Sequence, residues 1–295
     1  MSITILFPAD PLDWHRVDPD YEAERQAAKS YFQTAIIDLD TLIENGTVII
    51  TNLQSKLDQV IYRGWMLRPE QYKCLADGIG ARGGKMITNF AAYTAAHLLP
   101  NWADHPHTLT ARWTTKLDDK SLLNLLAKFN GPVTVKDFVK SRKNEWDSAF
   151  FIPDTRYQEK ALSVIHNFIE RQGDLLVGGV VLRDFVQFKQ IGYFHSEPTY
   201  EEYRVYYWRH QPFSIYNYWT DSPVLLSDDD KKFIGQQARD IDSPFITIDF
   251  ARLADGSLII MEIGDGQVSG LQGCPPELFY SRLSTYAKKN NTCTG

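Results

Sequence analysis

Two acidic residues thirteen positions apart, Asp249 and Glu262, carry the clearest chemical signal in the 295-residue sequence. They lie within residues 245–270, where two apolar runs flank Asp255-Gly256. Asp-Gly between alternating runs predicts a hairpin closed by a two-residue type I′ turn. With those two residues as the loop, Ala254 faces Ser257, and Asp249 stands opposite Glu262 on one face. The other face collects Ile246, Ile248, Phe250, Ile259, Met261 and Ile263, a core face by period-2 alternation. Opposed carboxylates across a ladder lie about 5 Å apart and repel unless a cation stands between them. Magnesium takes one or two carboxylates and completes its shell with substrate phosphates, which suits this arrangement. A solvated edge hairpin is the alternative. The acids' neighbours on that face, Thr247, Ala251, Leu258 and Ile260, are not solvent-like.

Cationic residues in strand-like stretches form a second set. Read as one strand, residues 131–143 put Lys136, Phe138 and Lys140 on one face and Val133, Val135 and Val139 on the other. Two lysines projecting together clamp phosphates, or else defend an exposed edge strand. Arg204 shares a predicted strand face with Tyr206 and Trp208, either stacked on aromatics or aimed into a site. Arg63 follows a predicted strand, at the end where open α/β sheets bind ligands. There it holds a carboxylate or phosphate, or simply sits on the surface. Gly178-Gly179 interrupts an apolar stretch over residues 175–187 and fits neither a Walker pattern nor Gly-x-Gly-x-x-Gly. His105 and His107 lack acidic or cysteine partners and read as a loop.

The elements that must position these groups begin with strands over residues 2–8, 35–39, 47–50, 60–62 and 85–89. Helices over 21–31, 69–78 and 90–98 alternate with them, and residues 9–20 read as a polar loop. Alternation of this kind predicts an α/β layer with a mostly parallel sheet. A break at residues 101–107 precedes a short helix over 121–129, the lysine strand, and a long flexible loop over 141–155 that is a candidate lid. Further helices are expected over 159–171, 228–239 and 276–289, with an aromatic hairpin over 201–219 and frayed residues after Lys289.

Composition narrows the class. Hydrophobic residues make up 43% and charged residues 23%, as in globular proteins, and the net charge of −6 argues against a general nucleic-acid or membrane binder. Cys74, Cys274 and Cys293 show no Cys-x-x-Cys spacing and are expected as reduced thiols. With no spanning apolar run and no signal-peptide pattern, the expected compartment is the cytoplasm.

The order of these parts resembles the ATP-grasp superfamily, from about Trp113 to the C-terminus. It runs from a lysine strand through a long loop, a helix and Arg-Asp-Phe-Val to Glu-Tyr-Arg and an Asp…Glu hairpin. Tyr-Arg-Gly-Trp at 62–65, Val-Lys-Asp-Phe-Val-Lys-Ser at 135–141 and Glu-Ile-Gly-Asp-Gly-Gln-Val-Ser-Gly at 262–270 resemble one clade, named for an arginine and two lysines. The resemblance implies three segments: an α/β domain at 1–105, a small lobe with the lysine strand at 106–172, and a large lobe with the metal-binding hairpin at 173–295. It implies ATP and Mg²⁺ as cofactors, with Lys136 on nucleotide phosphates and Lys140 as the second lysine. Arg183, Asp184, Phe185 and Val186 would line the adenine, Arg204 would approach the γ-phosphate and acyl group, and Arg63 would take part in catalysis. Asp249 and Glu262 match the metal ligands. Many ATP-grasp sites carry Glu-x-Asn, whereas this sequence has Gly264, so Asp265 or a water would supply the third ligand.

The activity this implies is an ADP-forming carboxylate–amine ligase working through an acyl phosphate. The substrates would be small molecules, amino acids or peptides, with a protein substrate as a further possibility. Two alternatives share the fold: a nucleotide-binding assembly protein similar to the cell-division-cycle relatives of this clade, and a kinase-like phosphotransferase.

Overall fold

The computed structural model describes residues 2–194, 197–219 and 224–289. Cys293 and the fraying expected after Lys289 lie outside them.

The chain opens with β1 (Ile3–Asp10), buried from Thr4 to Ala9 because neighbouring strands flank it and both its faces are covered. β2 (Asp13–Val17) returns antiparallel along β1, where the sequence predicts only a polar loop. The Asp10 carboxylate accepts from Leu12 N and the Asp13 carboxylate from His15 N, which closes the tight return. Then follow α1 (Glu22–Ala28), β3 (Gln33–Ile37), α2 (Leu39–Asn45), β4 (Ile50–Thr51), β5 (Gln59–Tyr62), α3 (Pro69–Ala81), β6 (Lys85–Met86) and α4 (Phe90–His97). Asp38 caps α2 through Thr41 N, and Gly46 ends it at φ 67°. The sheet order is β4-β3-β1-β5-β6, with β1, β3, β5 and β6 parallel, so the expected α/β layer is present.

The next stretch supplies β7 (Ala111–Thr114), α5 (Asp119–Leu126), β8 (Val133–Lys136), β9 (Phe151–Ile152), α6 (Gln158–Gln172) and β10 (Val180–Asp184). The strands form an antiparallel sheet of order β7-β10-β8-β9. Val133, Val135, Val180 and Leu182 pack from one face against Leu122, Leu125, Ile165 and Phe168 of the two helices. β11 (Gln190–Phe194) and β12 (Glu197–Tyr200) make a separate two-stranded ribbon.

Two expectations fail in this stretch. The lysine strand stops at Lys136, because the carboxylate of the buried Asp137 accepts from Val139 N and Lys140 N at 2.6 Å and turns the chain back. Lys140 is therefore exposed in a turn and not on the strand face of Lys136. Residues 141–155 are not a structureless loop: they hold a 3₁₀ turn, one π-helical turn and β9. Arg142, paired with Glu145 and bonded to Arg171 O and Gln172, ties this segment to the end of α6. The Gly178-Gly179 interruption gains a physical cause. A Cβ on Gly178 (φ 75°) would stand 2.0 Å from the Phe138 ring, and one on Gly179 would stand 2.2 Å from Thr114 O.

The last stretch carries β13 (Glu202–Trp208), β14 (Gln211–Asn217), α7 (Asp228–Ile234), β15 (Phe245–Arg252), β16 (Leu258–Asp265) and α8 (Pro276–Lys289). The strands form a sheet of order β14-β13-β15-β16. Arg209 and His210 take φ of 46° and 66°, the signature of a two-residue turn that follows the twist of β13 and β14. The β15–β16 turn differs from expectation. Leu253 N donates to Ser257 O and Gly256 N to Leu253 O, which makes a three-residue loop. Only Gly256 has positive φ, 91°, because the Asp255 carboxylate accepts from Ser257 N and Oγ and holds Asp255 in the ordinary region. At the other end of the hairpin Gly266 N donates to Phe245 O, the register read from the sequence; near the turn the pairing has moved by one residue.

By compactness the chain forms two units: Met1–Ala96 with Glu201–Phe250 and Ile263–Gly295, and His97–Tyr200 with Ala251–Glu262. In the first, one apolar cluster joins Ile5, Phe7, Tyr206, Phe245 and Phe279, and another joins Leu6, Tyr62, Leu75 and Tyr93. Among the described residues no helix is long and apolar enough to cross a membrane.

Candidate functional site

In the second unit the lysine of β8 meets the acid of β16. Lys136 Nζ donates to Glu262 Oε1 at 3.0 Å; the lysine side chain is 8% exposed and the glutamate 46%. A lysine that deep needs a permanent counter-charge. Arg183 lies on the same sheet face. Lys136 pairs with Val181 across the β8–β10 ladder, and Arg183 is two residues further along β10. Its guanidinium donates to Met261 O at 2.8 Å and lies over the Trp102 ring. Burial depresses the arginine's affinity for its proton, and Glu262 opposes that shift. His97, also buried, is pushed down to about 4 by desolvation, with Lys136 and Lys140 adding to the effect and Glu262 opposing it. The imidazole is therefore neutral at pH 7. Asp184, Phe185 and Val186 end β10 and leave it, with Phe185 edge-on to Phe151 and Trp146 and its N–H bonded to Pro132 O.

In the first unit Arg204 grips Asp249 bidentately, Nε to Oδ1 at 2.8 Å and Nη2 to Oδ2 at 2.7 Å. Its remaining nitrogen donates to Gly270 O, and the guanidinium stacks over Tyr218. Burial opposes the charge on Arg204, but Asp249 outweighs it and holds the guanidinium protonated more firmly than usual. Of the two readings weighed from the sequence, the stacking on an aromatic is present, with Tyr218 as the ring.

Arg63 is neither on the surface nor open to a ligand. It is 1% exposed, forks onto Glu24 through Nε and Nη2, and gives Nη1 to the carbonyls of Gly266, Gln267 and Ser269. Each of its three nitrogens helps hold residues 266–269 against α1. Asp265 also departs from its expected part. Period-2 alternation puts Glu262 and Gly264 on one face of β16 and Asp265 on the other. Asp265 is fully buried, accepts from Gln267 N and Nε2, and is raised to about 7 by burial, with the Gln267 bonds opposing. It does not stand beside Glu262 as a third metal ligand. The space an asparagine would need at Gly264 is filled: a Cβ there meets Thr247 Oγ1 at 3.0 Å and Ser269 Oγ at 3.3 Å, and these hydroxyls bond each other at 2.8 Å.

Sequence reasoning missed Glu24, His97, Thr247 and Ser269. Nothing local marks them, since Glu24 meets Arg63 across 39 residues of chain. Asp137 was legible as an aspartate whose side chain can seize the two amides that follow.

Among the described residues no group of three or more His, Cys, Asp and Glu stands ready to hold a metal. Mg²⁺ takes one or two carboxylates and completes its shell with substrate phosphates, and the half-exposed Glu262 is a carboxylate of that kind. Arg183 adds a second fit, since two of its buried donors, Nε and Nη2, have no partner on the sheet face that carries Lys136.

An α/β unit followed by an antiparallel lysine-bearing sheet and an Asp…Glu hairpin defines an ATP-grasp protein. Residues 123–283 match the model of an ATP-grasp domain, the third family of the clade named for one arginine and two lysines, and the chain belongs to that family. ATP-grasp enzymes use ATP and Mg²⁺. Comparison with curated proteins finds no match. Similar solved structures include D-alanyl-alanine synthetase A from Vibrio cholerae, at 12% identity and TM-score 0.61, covering 100% of this chain and 98% of that one. The macrocyclase MdnC bound with precursor peptide MdnA from Microcystis aeruginosa matches at 14% identity and TM-score 0.57, covering 99% and 100%. The ATP-grasp ligase PsnB, complexed with a phosphomimetic variant of its minimal precursor, Mg and ADP, matches at 13% and 0.55, covering 97% and 99%.

Proposed function

We propose that this protein is an ATP- and Mg²⁺-dependent ligase that joins a carboxylate to an amine, with release of ADP and passage through an acyl phosphate. The observation that carries the reading is the Lys136–Glu262 pair: a nearly buried lysine stands against the more exposed of the two hairpin acids. Nucleotide phosphates would displace that pairing, with Lys136 moving from carboxylate to phosphate. Asp249 and Glu262 would hold Mg²⁺, which when bound neutralises the terminal phosphates. Arg204 keeps Asp249 ionised and oriented, and its position supports a part in steadying the transferred phosphoryl group. Lys140 lies in an exposed turn next to the Arg142-anchored segment, and that exposure supports a part in acceptor use. Arg63 acts as a positioning residue by fixing residues 266–269. Phe185 and Val186 offer backbone groups to the adenine.

The three segments 1–105, 106–172 and 173–295 are proposed as the α/β domain, the small lobe and the large lobe of this enzyme, with the cytoplasm as its compartment. The peptide-bound and D-alanyl-alanine-forming relatives favour an amino acid or peptide substrate.

The test is ADP release over a panel of amino acids and peptides, with product masses recorded. A ligase releases ADP only when carboxylate and amine are both present, and the product mass shows loss of water. Glu262→Gln should abolish this turnover. A phosphorylated stable product, ATP binding with no acceptor-dependent ADP, or a wild-type rate in Glu262→Gln defeats the reading.

A further inference from the structure

Arg183 is 6% exposed, and of its donor nitrogens only Nη1 has a partner, Met261 O; Nε and Nη2 are buried with none among the described residues. A buried guanidinium with an open edge is costly, since each unmade bond leaves a charged donor desolvated without a partner. Such an edge fits a planar or tetrahedral anion bidentately, which a lysine cannot match. Among the described residues no anion is hydrogen-bonded to that edge, and Glu262 acts on Arg183 only through its charge. Lys136 and Arg183 share one face of the β7-β10-β8-β9 sheet, and consecutive residues of β16 lie over both of them, Met261 O on Arg183 and the Glu262 carboxylate on Lys136. Two buried cations therefore face one carboxylate, and the neighbouring His97 is neutral. The Trp102 ring offsets part of the excess.

We propose that Arg183 is an anion-binding residue whose Nε–Nη2 edge takes a phosphate group of the bound nucleotide, with Lys136 on the same sheet face as the second cation. This rests on the ATP-binding reading above and gives Arg183 a phosphate contact in place of an adenine-lining role. One anion restores charge balance and satisfies both open donors. The arginine then measures the phosphate chain and not the base, so it discriminates ATP and ADP from adenosine.

The experiment compares wild type, Arg183→Met and Arg183→Lys by calorimetric titration with ATP, adenosine and inorganic tripolyphosphate, and by thermal melting without ligand. Arg183→Met should weaken ATP and tripolyphosphate at least tenfold and leave adenosine unchanged. Its ligand-free melting temperature should stay level or rise, because an unpaired buried charge has been removed. Arg183→Lys keeps the charge without the fork and should recover only part of the loss. ATP and tripolyphosphate affinities equal to wild type in both variants overturn the proposal, as does an adenosine loss equal to the ATP loss, which would return Arg183 to the base. If Arg183→Met melts lower, its arginine is structural, and Arg183→Lys binding tripolyphosphate as wild type does would then also refute the assignment. Failure of wild type itself to bind ATP refutes the ATP-binding reading, whereas wild-type ATP binding that both Arg183 variants keep unchanged refutes only this one.

Discussion

Breaking the Arg204–Asp249 pair should destabilise the first unit by an amount that depends on pH in a defined direction. The two side chains are 11% and 10% exposed, and two charge-assisted bonds join them. Arg204→Met removes the partner and strands a nearly buried carboxylate. Stranding one member of a buried pair costs about 3–5 kcal/mol. At about 2.1 cal/mol/K per residue over the chain, a loss of about 4 kcal/mol lowers the melting temperature by about 6 °C. Asp249→Leu leaves Arg204 with Gly270 O and the Tyr218 ring, and should cost about 2–3 kcal/mol. The double substitution removes both charges and should cost less than either single change, with a coupling energy of at least about 3 kcal/mol. The pH dependence follows from the stranded acid. In Arg204→Met the ionised carboxylate is buried without its counter-charge, so the protonated form favours folding. The penalty is then smaller at pH 4 than at pH 7, where the carboxylate must be ionised in the unfolded chain. Denaturant unfolding at pH 4 and 7 for the four proteins measures all of this. Additive single effects, or a penalty equal at both pH values, would show that the bidentate geometry carries no electrostatic weight.

Three further outcomes follow from particular contacts. Gly178→Ala places a methyl 2.0 Å from the Phe138 ring at φ 75° and should cost at least about 2 kcal/mol. Gly131→Ala, with nothing within 4 Å of the new carbon, should be near neutral, and equal melting temperatures for the two refute the packing account. Asp265, raised to about 7 by burial, contributes stability below its unfolded pKa of 3.8 that is lost as pH rises through 7. Relative to Asp265→Asn, wild type should therefore lose up to about 4 kcal/mol between pH 4 and 8, and parallel stability curves would contradict the burial argument. Lys136→Met should release Glu262 without unfolding the second unit, while lowering ATP affinity in titration calorimetry; unchanged affinity counts against its phosphate role.

The sequence by itself determined the layers and the order of parts. Period-2 alternation and Asp-Gly marked the hairpin, alternating strand and helix patterns marked the α/β sheet, and Pro69 marked a helix start, because these are local preferences of a few adjacent residues. The lysine strand, the arginine of β13 and the two hairpin acids were legible for the same reason. Three local readings failed where a side chain reached the backbone: Asp137 ended the strand before Lys140, Asp255 lengthened the turn by one residue, and Asp10 and Asp13 made a strand of a loop. Only the tertiary structure decided which charges pair. Arg63 with Glu24, Lys136 with Glu262 and Arg204 with Asp249 are joined across 39, 126 and 45 residues. No local pattern encodes such distances. Burial then fixes their chemistry, because a charge removed from water is tolerated only where a partner, or an incoming ligand, replaces the water it has lost.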